Sequence, residues 1–191
     1  MPASPRPASR GSATGATGIE AVLRRARLLV LDVDGTLTDG RVVYAGNEEI
    51  ATFHVHDGQG LVWLREAGLQ LVWLSGRGSP AVQRRAEELG VREVHLAVAD
   101  KARVLAELQQ RLGVTAADTI AMGDDLADLA LLPRAALFVA PANARPEVKR
   151  RAGLVTEAAG GAGAVRELAE RVLAARGLWK QRVDRAVQAA E

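Results

Sequence analysis

The stretch Leu28-Leu29-Val30-Leu31-Asp32-Val33-Asp34-Gly35-Thr36-Leu37-Thr38-Asp39-Gly40 decides the fold. Apolar residues of the kind that fill a buried parallel strand run directly into two carboxylates and a glycine turn. Side chains alternate along an extended chain, so Asp32 and Asp34 point to the same side. Ligands of open α/β sheets bind at the carboxyl ends of strands, where these acids stand. Burying two acids side by side costs several kcal/mol unless a cation or a proton compensates. Taken alone, the segment also fits a plain strand end closed by turn-forming Asp and Gly.

Outward from this run, apolar strands alternate with amphipathic helices. The strand candidates are Leu28–Val33, Leu69–Leu74, Glu93–Leu96, Thr119–Met122, Ala136–Val139 and Leu154–Val155, with helices near 58–67, 80–89, 101–112, 125–132, 144–151 and 163–175. That alternation predicts a parallel sheet with helices on both faces. It is interrupted once. Arg41–Tyr44 and Glu49–Val55 flank the turn Ala45-Gly46-Asn47-Glu48 and predict a β-hairpin over about 41–55, inserted after the first strand. Val42, Tyr44, Ile50 and Phe53 give it an apolar surface that an isolated ribbon cannot bury, so it either pairs with another chain or folds over its own core.

The length of 191 residues suits one domain with tails. Residues 1–18 are rich in Pro, Ser, Ala, Gly and Thr, carry Arg but no acid, and lack the apolar stretch of a secretory signal. They predict a disordered leader before a domain over 19–176. Residues 177–191 read as a charged helical tail. Six aromatic residues leave the core to Val, Leu and Ala. The absence of cysteine excludes disulfides and thiolate chemistry and is compatible with a reducing compartment. A formal charge of +2 and scattered Arg beside Glu argue against a nucleic-acid partner. No apolar run approaches the ~20 residues of a membrane span. Of 25 Lys and Arg residues only Lys101, Lys149 and Lys180 are lysines, which draws attention to each.

Three further polar clusters close successive strands. Leu74-Ser75-Gly76-Arg77 places a small hydroxyl at the end of the second strand. Ala99-Asp100-Lys101 opens the helix after the third, and the lysine reads either as solvated or as an anion binder. Gly123-Asp124-Asp125-Leu126-Ala127-Asp128 follows the fourth. Three acids in five positions exceed what helix capping needs, and with Asp32 and Asp34 they form the hard oxygen set that Mg²⁺ prefers.

In this order the clusters resemble the four motifs of the haloacid dehalogenase superfamily: DVDGT (32–36), Ser75, Lys101 and GDDxxD (123–128). The resemblance implies a Rossmann-like α/β sheet sandwiched by helices, Mg²⁺ as cofactor and an aspartyl-phosphate mechanism. Asp32 would be the nucleophile and Asp34 the acid and base. The Asp32 and Asp124 side chains and the Asp34 carbonyl would hold Mg²⁺, while Ser75 and Lys101 bind phosphoryl oxygens. Asp128 would orient Lys101 or the metal site. Asp125 reads as ligand or cap.

Members of this superfamily commonly carry a cap domain between the first and second motifs or between the second and third. Neither interval has room for one here. An open site serves a large substrate or is closed by another subunit, and the exclusion of water favours the second for a small one. Phe53-His54-Val55-His56-Asp57-Gly58-Gln59-Gly60 and Ala159-Gly160-Gly161-Ala162-Gly163-Ala164-Val165-Arg166-Glu167 narrow the resemblance, over about 28–176, to the capless 3-deoxy-D-manno-octulosonate 8-phosphate (KDO 8-phosphate) phosphatases. That family implies a homotetramer whose hairpins meet in a central barrel and close neighbouring sites. It further implies a sugar-phosphate substrate of lipopolysaccharide synthesis and a cytoplasmic setting.

Gly35, Gly76, Arg77 and His56 are the expected substrate-facing residues, Arg77 opposite the sugar carboxylate or bracing its loop. Asp57 is expected to cap the helix it opens. His54 and His56 lack a third soft ligand for a transition metal. Ala162 stands where relatives often have a basic residue, so that Arg166 or another Arg would have to substitute, or substrate preference has changed. The alternatives are a phosphatase of a nine-carbon or other small acidic sugar phosphate, and a non-catalytic module of the same fold. The second of these requires damaged catalytic positions, and none is seen.

Overall fold

The computed structural model describes residues 13–188. Six strands form one parallel sheet: β1 (Leu28–Leu31), β4 (Gln70–Leu74), β5 (Glu93–His95), β6 (Thr119–Met122), β7 (Leu137–Ala140) and β8 (Leu154–Val155), in the spatial order β5-β4-β1-β6-β7-β8. Between β1 and β4, β2 (Val43–Ala45) and β3 (Glu48–Ile50) make a separate antiparallel hairpin. After β1 the chain builds outward through β4 and β5. It then returns to the other side of β1 with β6. The carboxyl ends of β4, β1 and β6 therefore flank a topological switch point, where such sheets open a crevice.

The apolar runs are continuous because both faces of the sheet are covered. Leu29 and Leu31 face one core, with Trp73, Ile120, Met122 and Val139. Leu28 and Val30 face the other, with Val72, Leu74, Ala121 and Phe138. Helices α1 (Ala13–Arg25), α2 (Val55–Glu66), α3 (Pro80–Leu89) and α6 (Ala164–Ala175) cover the first face. The second is covered by α4 (Lys101–Leu112), α5 (Pro146–Arg151) and a 3-10 helix over Leu126–Arg134. Full burial of each Leu or Val contributes roughly 1.5–3 kcal/mol, so these two layers dominate the stability.

Several expectations shift. α1 starts at Ala13, inside the segment read as a leader, with Val22, Leu23 and Ala26 buried against the core; residues 1–12 lie outside the described residues. The segment after β6 is a 3-10 helix rather than an α-helix, and it contains Pro133, which has no N–H to continue an α ladder. The hairpin strands are short, and Val55 already belongs to α2. Val42, Val43, Tyr44 and Ile50 are exposed, so the hairpin does not fold over its own core. Phe53 is the exception to the expected apolar surface, for it stacks on buried Trp73 with ring centroids 6.3 Å apart. The tail forms α7 (Trp179–Gln188), which packs Trp179 against Trp63 of α2 at 5.8 Å and pairs Arg182 with Glu66 at 2.9 Å. Among the described residues no helix is long and apolar enough to cross a membrane.

Candidate active site

The strand ends converge on a cleft of about 500 Å³ lined by Asp32, Asp34, Gly76, Arg77, Lys101, Asp124, Asp125 and Asp128 among others. Asp32 continues the β1–β6 ladder, its N–H donating to the Met122 carbonyl at 2.9 Å. This fixes its carboxylate at the mouth of the switch point. Gly35 then turns the chain with φ 91°, a conformation that only glycine adopts without strain. A Cβ there would run into the Asp124 carboxylate, so glycine is also what lets the β1 and β6 loops meet.

Lys101 reaches the centre by a built path. Ser75 N–H donates to the His95 carbonyl and Val98 N–H to the Ser75 carbonyl, both at 2.9 Å, holding the loop after β5 against the β4 end. Asp100 caps α4 by accepting from Arg103 N–H, which places Lys101 at the first helical position. Its ammonium lies 2.6 Å from Asp32 Oδ1 and 2.6 Å from Asp128 Oδ1. All three side chains are at least nine-tenths buried. The other oxygen of Asp128 accepts from the N–H groups of Asp124 and Asp125, at 3.0 and 3.1 Å. Asp128 thus ties Lys101 to the loop that carries Asp124.

Carboxylate oxygens of Asp32, Asp124 and Asp128 lie within 4.8 Å of one another, a spacing that could hold a metal ion. One ammonium does not balance them. Burial, then the Asp128 charge, push the Asp32 carboxyl up to about 7 despite Lys101. Burial and the charges of Asp128 and Asp125 push Asp124 up to about 7 as well. Lys101 is itself held above the ordinary lysine range: burial opposes its charge, but Asp32 and Asp128 outweigh that. An all-oxygen donor set with surplus negative charge matches a hard divalent cation of the Mg²⁺ type.

The remaining expected residues fall into two groups. The Ser75 hydroxyl donates to Asp34 Oδ2 at 3.2 Å and accepts from Arg77 N–H at 3.0 Å. Gly76 and Arg77 line the cleft, but the Arg77 guanidinium is paired with Glu49 of the hairpin at 2.6 Å. Asp125 accepts from Leu126 N–H and caps the 3-10 helix. His56, by contrast, is exposed, stands edge-on to His54 at 5.1 Å, and is not brought to the cleft by this chain alone.

Two expectations change. Asp57 does not cap α2, whose N-cap is His54. Buried instead, it accepts from Gly163 N–H at 3.2 Å and Arg166 N–H at 2.7 Å, capping α6 across the molecule. Arg166 does not stand in for a basic residue at Ala162, since its guanidinium lies 4.1 Å over the Trp63 ring and pairs with Glu170 at 2.6 Å. Asn143 was not singled out by the sequence. It donates to the Gly35 carbonyl at 2.8 Å and accepts from Gly160 N–H at 2.6 Å.

Sheet order, crevice and carboxylate cluster define a capless haloacid dehalogenase-like hydrolase, and the family model for haloacid dehalogenase-like hydrolases matches residues 93–168. The chain is 38% identical over 156 residues, 81% of its own length and 87% of the relative's, to the KDO 8-phosphate phosphatase KdsC of Haemophilus influenzae. A crystal structure of the Moraxella catarrhalis KDO 8-phosphate phosphatase with magnesium, phosphate and KDO superposes with a TM-score of 0.84 at 33% identity. It covers 87% of this chain and 96% of that one. The cobalt-bound Haemophilus influenzae phosphatase gives a TM-score of 0.80 at 38% identity, over 83% and 93%. The chain belongs to the KDO 8-phosphate phosphatase family.

Proposed function

We propose that this protein hydrolyses KDO 8-phosphate to KDO and phosphate, with Mg²⁺ held by the Asp32 and Asp124 side chains and the Asp34 carbonyl. The observation that carries this is the buried Asp32–Lys101–Asp128 array beside Asp124, in a chain of this family. When bound, Mg²⁺ supplies positive charge that keeps the carboxylates ionised and polarises the phosphoryl group.

In the reading we favour, Asp32 attacks phosphorus as the bond to the sugar oxygen breaks, and Asp34 donates its proton to that leaving oxygen. Asp34, now ionised, takes a proton from water as the water attacks the phosphoryl group on Asp32 and releases phosphate. Lys101 and Ser75 hydrogen-bond the equatorial oxygens, where charge is stabilised in the transition state. Ser75 already donates to Asp34, so an incoming phosphoryl group exchanges one acceptor for another. Arg77 and Gly76 face the sugar. Arg77 then meets the substrate carboxylate or stays with Glu49, which decides whether it binds or braces.

The exposed apolar residues of the hairpin and the missing cap support assembly into a homotetramer in which neighbours close each site and bring His56 to bear. A lack of cysteine accords with the cytoplasm. A second reading rests on Ala162, for which Arg166 does not compensate: the preferred substrate is then another acidic sugar phosphate of the nine-carbon type. Rates on eight- and nine-carbon acid phosphates and on neutral sugar phosphates decide between the two. A preference for the eight-carbon acid supports the first, and indifference to the carboxylate contradicts both.

A further inference from the structure

The Gly35 peptide sits between the two carboxylates at the end of β1 and the Thr36 turn, and groups far along the chain grip it from behind. The Asn143 side-chain amide donates to its carbonyl at 2.8 Å, and the same amide's oxygen accepts from Gly160 N–H at 2.6 Å. Gly160 is pressed so close that a Cβ would lie 2.6 Å from the Gly35 carbonyl carbon and 3.0 Å from Thr36 Cα. Gly161 N–H adds a bond to the Thr36 carbonyl at 3.2 Å. The far end of this glycine turn is fastened by Asp57 through Gly163 N–H.

Asn143 is exposed, and the backbone on either side of it is tied down. Ala142 N–H donates to the Ala158 carbonyl at 3.1 Å, Ala144 N–H to the Pro141 carbonyl at 2.9 Å, and Lys149 Nζ to the Ala142 carbonyl at 3.0 Å. None of Asn143, Gly160 and Asp57 lines the cleft.

We propose that Asn143 is a positioning residue for the loop that carries Asp32 and Asp34, using one amide to lock the Gly35 carbonyl to the glycine turn at 159–163. Asparagine is suited to this because it presents a donor and an acceptor on one rigid plane. Aspartate at the same length keeps the acceptor for Gly160 but sets a carboxylate against the Gly35 carbonyl. Catalytic geometry is steep in position, a 1 Å misplacement costing on the order of 100-fold in rate. A loop held from outside the cleft stays in place without crowding the substrate.

The role as a positioning residue rests on the phosphatase reading, but the clamp can be read without turnover. Amide hydrogen exchange of Asn143→Ala and Asn143→Asp in the Mg²⁺-loaded protein is compared with wild type, alongside kcat and KM on KDO 8-phosphate. The expected result is exchange over 33–38 raised about tenfold or more while β6 and β7 stay protected. kcat falls about 10–100-fold with KM within about threefold, and Asp is no better than Ala. Unchanged exchange over 33–38, exchange raised uniformly across the sheet, or rescue by Asp would each overturn the clamp. If the wild type turns over no phosphomonoester the phosphatase reading fails, and the exchange comparison still decides the clamp.

Discussion

Replacing Lys101 by Met keeps the length of the stem and removes the cation that lies between Asp32 and Asp128. Both carboxylates are buried, with Asp32 5% and Asp128 2% exposed. Each loses a charge-assisted bond of 2.6 Å. Breaking a buried pair from one side costs about 3–5 kcal/mol, because it strands the other charge. The cost depends on pH, because an acid can escape it by taking up a proton. Asp32 already sits near 7 with Lys101 in place, and losing the lysine moves it higher still. Wild type already binds this extra proton in the folded state and loses stability up to about pH 7. With the folded pKa higher still, the variant goes on losing stability above 7, where wild type levels off. The slope is about 1.4 kcal/mol per pH unit for one proton.

Urea unfolding in EDTA, followed by fluorescence of buried Trp73, measures this. At pH 8 the variant should be about 3–5 kcal/mol less stable than wild type. At pH 5.5 Asp32 is protonated in both proteins, so the difference should be smaller by about 1–1.5 kcal/mol, the cost that builds up over the one pH unit above 7. A deficit below about 1 kcal/mol at pH 8, or one equal at both pH values, would refute the argument that Lys101 is the internal counter-charge of the site.

Other outcomes follow from the same geometry. In the wild type without metal, Asp32 and Asp124 are both raised to about 7. Their unfolded values lie near 4, so stability is greatest below about pH 4–5 as far as these groups are concerned, and falls as pH rises through 7. Melting curves in EDTA should decline from pH 5 to pH 8, and saturating Mg²⁺ should remove most of that decline; a flat metal-free profile would contradict the pKa argument. Gly35→Ala forces a side chain into the left-handed region against the Asp124 carboxylate. It should cost about 1–3 kcal/mol of stability and lower kcat far more than a strain of that size elsewhere in the fold, as read by melting and turnover together. Asp57→Asn leaves one acceptor for the two N–H donors of α6. The melting transition should fall by an amount worth about 1–2 kcal/mol, and an unchanged transition would show that the cap is idle.

The sheet was legible because its signal is local. A buried parallel strand is a short apolar run, and β1, β4, β6 and β7 each lie within a residue or two of the runs that mark them. The carboxylates, Ser75 and Lys101 were legible because strand ends in this architecture converge on one crevice. What escaped depends on partners distant in sequence. Asn143 meets Gly35 across 108 positions, and Asp57 meets Arg166 across 109. Nothing near either residue announces such a partner, and an Asp before Gly reads most simply as a local cap. α1 is masked by composition: its buried Val22 and Leu23 follow a Gly, Ala and Thr stretch that looks like a leader. The Leu and Ala spacing after β6 suits an α-helix or a 3-10 helix equally, and Pro133 tips the balance to the second.

The decisive measurement is phosphate release from KDO 8-phosphate by the wild type and by Asp32→Asn, each with Mg²⁺ and with EDTA. Rapid release by the wild type with Mg²⁺ alone, and none above background by Asp32→Asn while its fold is retained, is the predicted result. Full release by Asp32→Asn, or release by the wild type that ignores EDTA, would contradict the central claim that Asp32 attacks phosphorus in a Mg²⁺-dependent site.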